Sequence, residues 1–218
     1  APLAMLEEGL RYADALTAPN RNLLRDWSHV AKGFYLQNFA EPTWWENLPP
    51  REELKIKKGF AGRIVIGWGG SVSHYDSWWG TGIREAATQI VRRHPEVLFA
   101  ICGNDPRIVE QLPVPRDNKV QIGGVSPEKW PENVACFDIG LAPLFGLYDQ
   151  GLEYLLGGVP WVGTVGEVYN DLASLGTLIQ NGSDNWEGAL DGKIRNLEAE
   201  QAQAACRIPL AREWCIDK

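Results

Sequence analysis

From about residue 63 onward, apolar residues alternate between two patterns. Short continuous runs rich in β-branched residues predict buried strands at 63–67, 97–102, 119–122, 137–142 and 160–163, with a weaker one at 177–179. Between them, apolar positions recur at three and four residues, which predicts helices at about 81–94, 105–112, 127–135, 151–157 and 166–174. In the clearest of these, Ile83, Ala86, Ala87, Ile90 and Val91 share one face. Apolar strands alternating with helices predict an α/β fold with a doubly wound, mostly parallel sheet covered on both faces. Ligands of such sheets sit at the carboxyl ends of the strands, near the point where strand order reverses. The turns expected there, 67–76, 103–105, 123–126, 143–150 and 163–166, are rich in Gly, Ser, Asn, Asp or Pro.

The flanks have weaker patterns. Residues 3–15 carry Leu3, Leu6, Leu10 and Ala13 on one side and predict a helix, followed by a short strand at 13–17. Asn20 is placed to cap a second helix running to Trp27, and 34–36 predicts another strand. Residues 41–58, with Pro42, Pro49 and Pro50 among tryptophans and charges, have the composition of a connector. Beyond 183 the chain is helical and polar, with an Ala/Glu/Gln-rich helix at 198–205. The expected division is therefore 1–58, 59–182 and 183–218, with no internal repeat.

Composition narrows the function classes. The 218 residues are 44% hydrophobic and 22% charged, enough for a sizeable core. A net charge of −7 argues against a nucleic-acid partner. It leaves room for small anionic ligands, which backbone amides can bind. Cys102, Cys136, Cys206 and Cys215 form no C-x-x-C pair, and the three histidines are scattered, so no metal site is expected. Cys102 and Cys136 lie beside apolar strands as small hydrophobes, which suits a reducing, cytoplasmic setting. No signal peptide or transmembrane run is visible in the sequence. The ten tryptophans suit either sugar stacking or plain core packing.

Three stretches carry candidate chemistry. The first is Gly67-Trp-Gly69-Gly70-Ser71-Val-Ser-His74-Tyr-Asp76, a strand-to-helix glycine turn of the kind that favours an anion at a helix N-terminus. It departs from the dinucleotide fingerprint, because the third glycine position holds Val72, and no lysine follows as in a P-loop. Ser73 and Asp76 have capping-box spacing. His74 is either a phosphate donor or an ordinary loop histidine. The second is Glu153, an acid in the first turn of an otherwise apolar helix. Its two acceptor oxygens suit a pair of ribose hydroxyls, although taken by itself it reads first as a solvated helix-start acid favoured by the macrodipole. The third, Gln121-Ile-Gly-Gly124-Val125-Ser126, ends a strand in small residues that expose backbone to a flat base.

Taken in order, the set resembles the donor-binding half of GT-B glycosyltransferases, in particular the GT4-like family. The resemblance lies in Ile66-Gly-Trp-Gly-Gly-Ser71, Ile101-Cys-Gly-Asn104, Val120-x-x-Gly-Gly-Val125, Phe137-Asp-Ile-Gly-Leu-Ala-Pro143 and Leu152-Glu-Tyr-x-x-x-Gly-Val-Pro-Trp-Val162. Ala13-Asp-Ala-Leu-Thr-Ala-Pro-Asn20 and Leu36-x-Asn38 look like that family's link out of the acceptor domain. The resemblance implies a Rossmann-like domain, the C-terminal half of a GT-B fold, that binds a nucleoside-diphosphate sugar without a metal or other cofactor. It implies transfer of the sugar to an acceptor whose identity the sequence does not give. Gly69, Gly70 and Ser71 would face the diphosphate, and Gly124 and Val125 the base. Glu153 matches the family's ribose-binding second glutamate, and His74, Asp76, Asn104, Tyr148 and Asp149 complete the expected donor-binding set. Two features depart from the pattern. Phe145 stands where the first glutamate of the pair belongs, and Tyr148-Asp149-Gln150-Gly151 lacks the expected basic residue. Most of the acceptor domain has no counterpart in the sequence. A non-catalytic nucleotide-sugar-binding or structural domain within an assembly is therefore the competing expectation. A nicotinamide-dependent enzyme is disfavoured, because no acid ends the second strand at Ile101-Cys102.

Overall fold

The structure, a computed structural model, describes residues 2–19, 21–36, 40–70, 74–143, 151–166, 169 and 172–216. By contact the chain divides into two compact units, Ala1–Ala40 with Asp217–Lys218, and Glu41–Ile216. The first unit runs α1 (Pro2–Leu10), β1 (Leu16–Ala18), α2 (Arg21–Trp27) and β2 (Gly33–Tyr35). β1 and β2 pair in parallel, with Leu16 opposite Gly33. The side chain of Leu24 in α2 lies where a Cβ on Gly33 would be, 2.9 Å away. α1 is shorter than the 3–15 expected, because the Arg11, Tyr12 and Ala13 amides close it by bonding back to carbonyls between Glu7 and Leu10. The proposed cap Asn20 and the Asn38 of the link lie outside the described residues.

The second unit begins with a segment that is not a connector. A 3₁₀ turn at Pro42–Trp45 leads to α3 (Arg51–Lys57), whose N-cap is Pro50. The prolines thus precede a helix, where a missing N–H is harmless. Leu54 is fully buried, and Lys55 is 5% exposed. Lys55 Nζ lies 3.0 Å from Asp138 Oδ2, which also accepts from the Val65 amide at 2.8 Å, while Gln201 donates to Oδ1 at 2.9 Å. Arg51 donates to the Ala135 and Gly158 carbonyls. These buried ties join α3 to the sheet, which is why the unit boundary falls at 40/41, earlier than the expected 58.

The sheet comprises β3 (Ile64–Gly69), β4 (Val97–Cys102), β5 (Lys119–Ile122), β6 (Ile139–Ala142), β7 (Trp161–Thr164) and β8 (Thr177–Ile179). Their order is β5-β4-β3-β6-β7-β8, and every described pairing is parallel. This is the expected doubly wound α/β fold. The connecting helices are α4 (Tyr75–Gly80), α5 (Ile83–Arg93), α6 (Arg107–Gln111), α7 (Trp130–Ala135) and α8 (Gly151–Leu156). The C-terminal ones are α9 (Ser183–Arg195), α10 (Leu197–Cys206) and α11 (Ile208–Ile216). One face of the sheet buries Ile66, Trp68, Phe99, Ile101, Ile139 and Leu141 under α4, α5, α6 and α9. The predicted apolar face of α5 is buried there in full. Trp186, Leu190 and Ile194 place α9 in the same layer, so 183–195 is part of the domain and not an appendage. On the other face α7, the link from it to β6, and α8 seat aromatic rings over strand glycines. Phe137 covers Gly67, Trp130 covers Gly69 and Tyr154 covers Gly140. Of the helix expected over 166–174, residues 167, 168, 170 and 171 lie outside the described residues, while Tyr169 and Leu172 are described and buried. α4 was not anticipated. Gly82, at φ 87°, separates it from α5.

Candidate functional site

The strand order reverses between β3 and β6, so the crevice in which doubly wound sheets bind ligands lies at their carboxyl ends. Gly69 ends β3 and Gly70 follows it. A Cβ on Gly69 would overlap Cη2 of Trp130 and lie 2.7 Å from its Cζ2, and one on Gly70 would lie 2.5 Å from Cζ2 of Trp68. Neither position therefore admits a side chain. The Gly70 amide donates to the Cys102 carbonyl at 3.1 Å, and the Gly103 amide to that of Ile122 at 2.9 Å. The ends of β3, β4 and β5 are laced together by these bonds, so the Gly70 N–H is engaged within the protein and does not point to a phosphate. Ser71, the next amide of the turn, lies outside the described residues.

Asn104 and Gly124 do come together. Asn104 Oδ1 accepts the Gly124 amide at 2.8 Å, and Gln121 Nε2 donates to the Gly103 carbonyl at 3.1 Å. The glycine end of β5 is thus shaped by the loop after β4. Val125, 43% exposed, is open to solvent beside it. His74 is the N-cap residue of α4 and meets Trp68 edge-on at 6.2 Å between centroids. Partial burial lowers its imidazole pKa below the ordinary value, which favours the neutral ring. Asp76 lies exposed in the first turn of α4, while Ser73, its capping-box partner, is outside the described residues. Arg107 pairs in a fork with Asp105 and lies over the Tyr75 ring at 4.4 Å. Its hydrogen bonds hold the Asp105 carboxyl below the usual carboxylate range.

Glu153 lies in the first turn of α8 and is half-buried. It is not the solvated acid of the simpler expectation. Its Oε2 accepts from Nε1 of Trp130 at 2.8 Å, across from α7. Nothing in the sequence immediately around Trp130 sets it apart from the other nine tryptophans. The usable signal was its place at the start of a helix that follows the strand ending in Gly123-Gly124, opposite a glycine-bearing strand. The structure therefore brings Gly69, Trp130 and Glu153 into one cluster and Gly70, Gly103, Asn104 and Gly124 into a second. Tyr148, Asp149 and Phe145 fall outside the described residues. Burial pushes the Cys102 thiol up to about 12, so it is no nucleophile at neutral pH. Among the described residues no group of three or more His, Cys, Asp or Glu is disposed to hold a metal ion.

No protein-family model matches the chain, and no curated protein matches it by sequence. Solved structures do match. Anabaena HepE in complex with UDP and glucose superposes with a TM-score of 0.74 at 14% identity, over 98% of this chain and 64% of that one. WaaG, a glycosyltransferase involved in lipopolysaccharide biosynthesis, gives 0.73 at 19% identity, over 90% and 58%. The chain has the fold of the GT-B glycosyltransferases. Sucrose-phosphate synthase from Thermosynechococcus elongatus matches this GT-B chain with a TM-score of 0.66 at 12% identity, over 97% and 59%. The GT-B chain spans about three fifths of the length of each of these structures. No described helix is long and apolar enough to cross a membrane.

Proposed function

We propose that this chain binds a nucleoside-diphosphate sugar at the carboxyl edge of its sheet and serves as the donor half of a glycosyltransferase. The observation that carries the reading is Glu153. It is a half-buried carboxylate at the strand-order reversal, oriented by an indole N–H and adjacent to the side-chain-free end of β3. A carboxylate so held accepts two hydrogen bonds from a vicinal diol, which is what a ribose offers. The similar GT-B structures support the choice of ligand, since HepE is known with UDP-glucose and a trehalose-6-phosphate enzyme with UDP-2-fluoro glucose. The reaction as proposed requires no metal, and a reducing, cytoplasmic setting suits the four free thiols.

Calorimetric titration with UDP, and with GDP and ADP beside it, tests the proposal. Glu153→Gln keeps the size of the side chain and exchanges an acceptor oxygen for a donor. Hydrogen bonds to a charged group contribute about 1.5–3 kcal/mol, so affinity should fall roughly tenfold to a hundredfold. 2′,3′-Dideoxy-UDP should bind the wild type weakly and lose little more in the variant. If Glu153→Gln weakens both nucleotides by one factor, the carboxylate does not read the ribose.

A second reading, a binding module without turnover, is favoured by one observation. The Gly70 and Gly124 amides are already engaged, and Arg107 is tied to Asp105, which leaves little described positive charge for a diphosphate. UDP-sugar hydrolysis assays separate the two: slow release of free sugar from bound donor indicates a competent transfer site, and binding with no release indicates the module.

A further inference from the structure

Four other tryptophans, Trp78, Trp79, Trp161 and Trp186, bury indole N–H groups that make no hydrogen bond. Their rings pack against neighbours, and that of Trp79 also receives the Arg84 guanidinium at 5.2 Å. Trp130 is different. Its N–H is directed at a carboxylate, and a hydrogen bond to an ionised acceptor is stronger and more directional than a neutral one. Its ring is fixed from two further sides. The far edge rests on Gly69, where even a methyl group would collide with it, and Phe137 meets it edge-on at 6.5 Å and 74°. Phe137 is itself seated over Gly67 on the same strand. The donor position is thus set by β3, through two glycines and two rings.

A glutamate carboxylate turns easily about its last torsion. A donor held in one place selects one setting of that torsion and so decides where the second oxygen points. We propose that Trp130 is a positioning residue of this site: its indole N–H helps to orient Glu153 for the 2′,3′-diol of the nucleotide, so that recognition of the ribose hydroxyls depends on it. The inference rests on the donor-site reading above. It adds that discrimination between ribose and dideoxyribose is built from α7 as well as α8, and that β3 transmits it.

The test compares affinities for UDP and 2′,3′-dideoxy-UDP in the wild type, Trp130→Phe, Glu153→Gln and the double variant. Phe keeps an aromatic ring on Phe137 and removes the N–H. Trp130→Phe should shrink the preference for UDP about three- to tenfold, the range expected for one hydrogen bond. In the Glu153→Gln background it should change that preference little, because it acts through the carboxylate. A purely structural role would weaken both nucleotides alike, and that result overturns the inference, as does a full additive effect in the double variant. Should Trp130→Phe not fold, the indole N–H resonances of ¹⁵N-labelled protein supply the readout. Glu153→Gln must move one of them, and UDP must move the same one further than the dideoxy form does. If no indole resonance responds to Glu153→Gln, the inference fails. A wild type that binds neither nucleotide removes the donor-site reading and this inference with it. Binding that prefers UDP, with Trp130→Phe unchanged in preference, removes this inference alone.

Discussion

Substituting alanine at Gly69 tests the packing that underlies the whole site. The added Cβ would lie 2.7 Å from Cζ2 of Trp130 and closer still to Cη2. Carbon atoms rest at about 3.5–4.0 Å, so the ring edge must retreat by roughly 0.8 Å or more. Gly69 is within a strand and is not among the glycines with positive φ, so alanine meets no backbone strain there and the ring contact is the dominant cost. Overpacking of this kind costs about 1–3 kcal/mol. The displaced indole also loses its 2.8 Å bond to Glu153, whose half-exposed carboxylate can recover part of the loss from water. The expected destabilisation is about 2–4 kcal/mol in all. Urea unfolding followed by far-ultraviolet circular dichroism measures it. Gly192→Ala is the control. It stands in α9 with nothing within 4 Å of the new methyl group, and it should stabilise by about 0.5–1 kcal/mol. Compensation gives the sharper test. In a Trp130→Phe background the shorter ring leaves room, and Gly69→Ala should cost about 1 kcal/mol less than in the wild type. A Gly69→Ala protein as stable as the wild type would refute the packing of Trp130 on β3.

The remaining predictions concern the frame around the site. Lys55→Met leaves Asp138 buried without its counter-charge, which should cost about 3–5 kcal/mol, or roughly 6–20 °C in Tm for a chain of this size; Lys55→Met/Asp138→Asn, which keeps an acceptor for the Val65 amide, should recover more than half. A Lys55→Met variant melting within 2 °C of the wild type would return 41–58 to the status of a connector. His74 has a lowered pKa in the folded protein, so the unfolded chain takes up its proton first as pH falls; stability should be fully present above about pH 6.5 and decline below it, with a smaller decline in His74→Gln by urea unfolding at pH 7.5, 6.5 and 5.5.

The elements with a single dominant periodicity were legible in advance. The strands at 97–102, 119–122 and 177–179 fall where apolar runs put them, and the α5 face is buried residue for residue. Elements defined by distant partners were not. α3 is charged and follows two prolines, and what makes it part of the domain is Asp138, 83 residues from Lys55. α4 lies between the expected turn at 67–76 and the expected helix at 81–94, and Trp78 and Trp79 have no helical period to betray it. The same holds inside the site. Glu153 stood out by its chemistry, an acid among apolar neighbours. Trp130, between Glu128-Lys129 and Pro131-Glu132, carries no such contrast, and its role appears only when Gly69 and Glu153 are brought next to it.

The glycines of the motif Ile66-Gly-Trp-Gly-Gly-Ser71 serve more than one end. Read along the chain, they announce a turn open to a phosphate. In the folded protein Gly67 and Gly69 point to the same face of β3, two residues apart, and form a shallow trench there. Phe137 and Trp130 fill the trench, and Tyr154 fills the matching gap at Gly140 on β6, where its hydroxyl donates to the Leu141 carbonyl at 2.8 Å. Rings seated that deeply let α7 and α8 approach the sheet closely, and the first turns of both helices then meet at the strand-order reversal with Trp130 facing Glu153. A side chain at 69 or 140 would lift Trp130 or Tyr154, and with it α7 or α8, and one at 67 would displace Phe137, which follows α7. Close packing on the sheet and the fixed placing of the Glu153 carboxylate are therefore met by the same three glycines, which makes the spacing of the motif a structural requirement even where, as at Gly70, the amide is bonded within the protein.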